Sequence, residues 1–421
     1  MPSLFNEKIL MPFRYILSSL KYKNFRLYFF GQCVSVMGTW MQQIAMGWLA
    51  YKLTGSVLIL ATVTFMEQIP MLFATPFVSV FVDRANKHKL LIFTQTMAML
   101  QAFAMAALVL TETVAVWNIL ILSLFIGLVN SLDMPTRQAF YTSLVPKESM
   151  TNAIALNSSS INGCRLIGPA VGGIIIGLVG EGYCFLINAI SYLGVITALL
   201  MMKIDYKKKK SEKKNVLQDM TKGFMYMKNT EPIKILVAMM AAVSFFGVPF
   251  NSFVPAFVNI MLNGESEMLG FLLSSIGIGS FAASIYLASR RSAIGLPNMV
   301  MSAAVLMGMS LCFISFCSIS WAAILICMPI GFSIIISVAS INTLLQLLTD
   351  NAMRGRVMGY LTMAFAGMPP VGALVFGYIE KWTGLNYMLV IMGMCTILSG
   401  VCFSFFLQKV KDPTILVENV G

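Results

Sequence analysis

Residues 162–177 read NGCRLIGPAVGGIIIG. Within a run long enough for a helix, the stretch carries a cation at Arg165, a proline at Pro169 and five glycines. Gly168, Gly172 and Gly173 present no side chain, so a neighbouring helix can approach closely there. Pro169 withholds one backbone donor and permits a bend. The stretch reads as a hinge inside a membrane. Far down the chain the pattern returns as MPPVGALVFG, residues 368–377, where Pro369, Val371, Gly372 and Gly377 stand in for Pro169, Val171, Gly172 and Gly177. That repetition predicts two halves built to one plan.

Composition sets the solvent. Of 421 residues, 58% are hydrophobic and 11% charged, where an ordinary soluble domain has about 25% charged. The chain reads as an all-α polytopic membrane protein embedded in a lipid bilayer. Apolar runs long enough to cross the hydrocarbon core fall near 26–51, 57–81, 90–111, 114–136, 153–179, 183–202, 233–261, 268–289, 298–318, 321–347, 356–379 and 385–407, predicting twelve transmembrane helices. The first 25 residues lack an apolar core followed by a small-residue cleavage site, so no removable signal peptide is expected.

Basic residues give the orientation. Lys8, Arg14, Lys21, Lys23 and Arg26 precede the first span, and Arg84, Lys87 and Lys89 separate the second and third. A lysine cluster fills 203–234, and Arg137, Lys147, Arg290, Arg291, Arg354, Arg356, Lys409 and Lys411 mark the same side. Lys52 and Lys381 fall on the other side. Both termini are therefore expected in the cytoplasm of a cell in whose inner (cytoplasmic) membrane the chain sits. The net charge of +12 is a topology signal and no sign of nucleic-acid binding. The boundaries that follow are a cytoplasmic segment 1–25, a six-helix bundle 26–202, a basic linker 203–232, a second six-helix bundle 233–408 and a tail 409–421.

Polar groups at membrane depth are the candidate functional residues, because each is costly in hydrocarbon. In the first span Gln32, Ser35, Thr39 and Gln42 share one face by three and four spacing. They line a cavity or bond helix to helix. Glu67 lies near the middle of the second span and Arg165 at similar depth in the fifth. Two readings stand: Glu67 carries a proton, or it pairs with Arg165. Asp133 and Arg137, four apart, share a face if their helix continues past Pro135, and either anchor a gate or form a surface pair. Asn251, Asn342 and Gln346 offer uncharged polar groups in the second half, where Pro249 and Pro255 are expected to break the seventh span. The eight cysteines show no metal-ligand spacing, and the single histidine, His88, reads as a solvated residue of a basic loop. No metal and no cofactor is expected.

Twelve spans, a basic middle loop, an Asp83-Arg84 turn after the second span and GPAVGG in the fifth resemble the major facilitator superfamily. DMPTRQAFYTSLVP (133–146), the NxxR and GPxxGG of 162–173, and LLQLLTDNAMRGRVMGY (344–360) resemble the branch containing the enterobactin exporter and macrolide-efflux proteins. The resemblance implies two bundles rocking about a midplane site, lined by helices 1, 4, 7 and 10. It also implies a gating turn whose acid, Asp83, meets Gly355–Met358, and a fifth-helix signature typical of antiporters. Ser79, Asn86, His88 and Cys164 depart from the family pattern. The expected function is export of a small amphipathic molecule such as a siderophore, drug or lysolipid, by a monomer exchanging it for protons. An importer of the same fold is the alternative. An intramembrane enzyme is disfavoured, since no HExxH, nucleophile motif or histidine cluster is present, so no catalytic residue is assigned.

Overall fold

In a lipid solvent every backbone amide must be bonded within its own segment, which leaves helices as the way to build these apolar runs. The computed structural model describes residues 18–202, 216–290, 292–406 and 410. Among them the first six long helices are α1 (Lys23–Thr54), α2 (Val57–Arg84), α3 (Lys87–Leu110), α4 (Val116–Tyr141), α5 (Met150–Val179) and α6 (Glu181–Leu200). A shorter helix, α7 (Val216–Asn229), leads into α8 (Glu231–Phe246), α9 (Phe250–Leu262), α10 (Ser266–Ala288), α11 (Leu296–Ile314), α12 (Ser320–Leu348) and α13 (Arg354–Phe405). Among the described residues, nine helical stretches are long and apolar enough to cross a membrane. The protein is a multi-pass, all-helical membrane protein.

Local chemistry sets the corners. Gly55, at φ 59°, closes α1, and the Ser56 hydroxyl then accepts from the Ile59 amide, 3.4 Å away, to start α2. Asn86 caps α3 by accepting from the amides of His88 and Lys89 at 3.1 and 3.2 Å. His88 is therefore no solvated loop residue. It sits in the first turn of α3, its Nε2 2.8 Å from the Leu199 carbonyl oxygen and its ring stacked on Phe140. Gly180 at φ 93° parts α5 from α6, and Gly384 at φ 76° folds α13 back on itself into arms 354–383 and 385–405. In the second half the chain breaks at 247–249, with Pro249 capping α9, while Pro255 lies inside that helix without ending it. Only the first of the two expected proline breaks occurs.

The packing follows the glycines. A Cβ built on Gly172 would lie 3.1 Å from the Cα of Met41, so α5 rides directly on α1; Gly372 meets the Phe245 carbonyl in the same way, seating α13 on α8. Gly173 and Gly177 let α5 cross to α10, where a Cβ on Gly173 would lie 3.0 Å from the Cα of Gly270. Gly377 lets α13 cross to α2, 3.2 Å from the Cα of Leu58 by the same measure. The repeated sequence is thus a repeated pair of contacts, one within each half and one between them. Both seams between the halves are shut at the Gly177 and Gly377 end. Eighteen residues earlier, five turns back on the same faces, Ser159 is exposed and a Cβ on Gly359 would meet nothing within 4 Å. The seams open toward the end that carries α7 and most of the basic residues.

Gly127 supplies a direct test of this packing, because a side chain there would overlap the Glu67 backbone carbonyl, which no rotamer can move. Gly127→Val should lower yield and the unfolding midpoint, with an overpacking cost of about 1–3 kcal/mol, whereas Gly359→Ala should leave both unchanged. A Gly127→Val protein as stable as the parent would contradict the α2–α4 contact.

Candidate functional site

The polar face expected on α1 divides in two when its neighbours are in place. Gln42 is buried, donating through Nε2 to Gln101 Oε1 at 2.9 Å and accepting from Asn188 Nδ2 at 2.7 Å, so it joins α1 to α3 and α6. Gln32 and Ser35 are buried as well, the Gln32 Nε2 without a protein partner. Thr39 is exposed and donates to the Ser35 carbonyl at 2.9 Å; Gln43 beside it is also exposed. Of the predicted face, Gln42 bonds α1 to α3 and α6, and Thr39, although exposed, also meets Tyr192 of α6 through a side-chain hydrogen bond.

Asp133 and Arg137 do share a face, since α4 runs through Pro135 to Tyr141. They are no surface pair. Asp133 is 2% exposed, its Oδ2 accepts from Arg137 Nε at 2.9 Å and from Nη2, and its Oδ1 accepts from Thr94 Oγ1 and Gln95 Nε2, both at 2.7 Å. A carboxylate holding that many donors is satisfied. The cluster fastens α3 to α4.

Glu67 and Arg165 are the charges left over. Among the described residues the ion pairs are Lys52 with Glu181 and Arg137 with Asp133, and Glu67 and Arg165 are joined neither to those groups nor to each other. Arg165 instead lies with its guanidinium carbon 5.6 Å from the centre of the Trp40 ring, a cation–π contact. The physical reason is one turn away: Gly168 brings Trp40 so close that a Cβ on the glycine would sit 2.6 Å from the Trp40 Cβ. The pairing alternative for Glu67 and Arg165 is therefore not the arrangement found. Both side chains are partly buried.

The remaining candidates are placed as follows. Asn251 is half-buried on α9 next to Ser252, whose hydroxyl is 3.1 Å from Thr64 Oγ1 of α2. Gln346 donates to Asn342 Oδ1 one turn back on α12, and Gln346 is exposed. Pro169 and Pro369 are buried within continuous helix, so neither ends its span. Asp83 and Arg84 lie outside the residues whose side chains the structure describes. Trp40, Gln101 and Asn188 were not singled out in the sequence, although the last two carry the same signal as Gln42, an amide at membrane depth. Another unforeseen contact ties α7 to the second half, where Tyr226 donates to Asp350 Oδ2 at 3.0 Å and Tyr360 to the Met220 carbonyl at 2.9 Å. No group of three metal-ligating side chains occurs among the described residues.

A model of the transmembrane secretion effector family matches residues 15–415. The staphyloferrin A transporter of Staphylococcus aureus is 26% identical over 394 residues, covering 91% of this chain and 96% of that protein. The multidrug efflux pump Tap of Mycolicibacterium fortuitum is 20% identical, over 92% and 96%. A crystal structure of the nucleoside transporter NupG superposes with a TM-score of 0.74 at 13% identity, over 92% of this chain and 99% of that one. The chain accordingly belongs to the transmembrane secretion effector family of the major facilitator superfamily and is a secondary transporter of small molecules across a membrane, not an enzyme.

Proposed function

We propose that the protein exports a small amphipathic molecule by alternating access and that proton entry through Glu67 drives it. The observation that carries this reading is the asymmetry of the two seams: α5 with α10 and α2 with α13 are shut at one end and open at the basic end. With the basic loops in the cytoplasm, the interior is then loaded from the cell and the opposite gate is closed. In this reading the chain crosses the bilayer twelve times, α8 with α9 making one crossing and the two arms of α13 making two. Residues 26–202 and 233–408 are the two bodies that rock, both termini are cytoplasmic, and the inner membrane of a bacterium is its place. One copy suffices, since the solute path lies between halves of the same chain.

The names of the relatives, a siderophore transporter and a drug efflux pump, support export of an amphipathic solute. Glu67 supports proton coupling for a physical reason: a carboxyl at membrane depth without a cationic partner is costly when ionised, and a proton from water removes that cost. Proton gain and loss would thus change the charge of the interior once in each cycle. Gly168, Pro169, Gly172 and Gly173, with Pro369 and Gly372, would serve as the pivots of the rocking motion.

Topology is tested first. In a cysteine-free background, Thr113→Cys should react with an impermeant maleimide from outside intact cells and Lys228→Cys only after permeabilisation; the reverse pattern would mean that the basic end faces out and the protein imports. Coupling is tested in vesicles with an imposed pH gradient. Glu67→Gln should still bind solute yet lose gradient-driven transport, because an amide cannot titrate, while Glu67→Asp should retain part of it. Unchanged gradient-driven transport by Glu67→Gln would remove Glu67 from the proton path.

A further inference from the structure

A cation inside a membrane protein needs something to answer its charge, and Arg165 is the described arginine of the membrane interior that has no acid. Its position on α5 is defined by the faces on either side. Ile167, Ile174 and Leu178, exposed by 51, 41 and 76%, form the lipid-facing stripe, and at 100° per residue Arg165 points roughly opposite to them. Gly168 and Gly172 give one flank to α1, and Leu166 with Gly173 gives the other to α10, where a Cβ on Gly277 would lie 3.1 Å from the Leu166 Cα. Arg165 thus projects between α1 and α10 into the interior that opens at the basic end. Its guanidinium carbon lies 5.6 Å from the centre of the Trp40 ring, and among the described residues it makes no ion pair. Of the acids away from the ends of the helices, Asp133 is consumed by Arg137, Thr94 and Gln95, and Glu67 makes no ion pair among the described residues. Thr39 and Gln43, adjoining Trp40 on α1, are exposed neutral groups.

We propose that Arg165, with Trp40 as its backing ring, is the docking group for an anionic head on the exported molecule, a carboxylate, sulfonate or phosphate carried by an apolar body. The inference rests on the export reading and narrows its substrate class. A planar guanidinium pairs with such oxyanions by two parallel hydrogen bonds, which a lysine ammonium cannot reproduce. Held against Trp40, the fork is already oriented, so little side-chain freedom is lost when the anion binds. An apolar body would then lie against the apolar side chains around Trp40, and the exposed Gln43 would serve a neutral polar group of the same solute. The anion could reach the site from water or from the lipid leaflet, as a soluble organic acid or as an acidic lysolipid, and the chemistry at Arg165 is the same.

The test uses carboxyfluorescein as the anionic probe and ethidium as a cationic one. Both are followed as efflux from cells, and carboxyfluorescein also by fluorescence anisotropy with purified protein in nanodiscs. Wild type should export both dyes and bind carboxyfluorescein; Arg165→Gln should weaken that binding and efflux about tenfold or more and leave ethidium efflux in place. Arg165→Lys should recover a fraction of the loss and Trp40→Phe most of its own. Displacement of bound dye by lysophosphatidylglycerol, but not by lysophosphatidylcholine, would assign a lipid source; displacement by a soluble tricarboxylate alone would assign an aqueous one. Equal loss of both dyes in a normally expressed Arg165→Gln protein would overturn the proposal and make Arg165 structural, with export itself intact in wild type. Failure of wild type to move either dye outward would strike the export reading instead.

Discussion

The constraint on which everything else depends is that two helix backbones must touch without side chains between them. Lipid tails are as apolar as leucine, so no hydrophobic gain draws membrane helices together, and association relies on close van der Waals contact and on hydrogen bonds. Gly172 on Met41 and Gly372 beside Phe245 supply that contact inside each half; Gly173, Gly177 and Gly377 supply it between halves. Because neighbouring glycines of one short stretch serve the two purposes, α5 and α13 each touch their own half on one face and the opposite half on another.

Polar groups in the membrane fall into those used up in holding the protein together and those left available. Gln42, Gln101 and Asn188 bond three helices, and Asp133 with Arg137, Thr94 and Gln95 bonds two. Interhelical bonds of this kind contribute about 0.6 kcal/mol each on average, so their larger effect is to fix which faces meet. Among the described residues Glu67, Arg165 and Gln43 are not used in this way. A membrane protein that has solved its folding problem with one set of polar residues is free to spend a second set on its solute.

Much of this was legible in one dimension. Span length and the motifs that carry the family resemblance depend on order along the chain, and they led to a helical membrane protein of the right family. What failed needed knowledge of rotation about a helix axis. Gln42 and Thr39 differ by three positions, enough to bury one between α3 and α6 and leave the other exposed beside Tyr192 of α6. Asp133 and Arg137 were correctly paired, but a helix end that looks surface-exposed in sequence is covered once α3 lies against it. His88 was misjudged because the Asn86 cap starts α3 at Lys87 and turns the imidazole inward toward Leu199. Pro255 was expected to act like Pro249, yet only Pro249 coincides with a break, beside Gly247, where the backbone has already left the helix.

The fastening of α7 has a mechanical consequence. Tyr226 on Asp350 and Tyr360 on the Met220 carbonyl make α7 a fixture of the second half. A load applied to α7 is therefore passed to α13 and to the turn before it, and α7 keeps its angle to that half as a strut does.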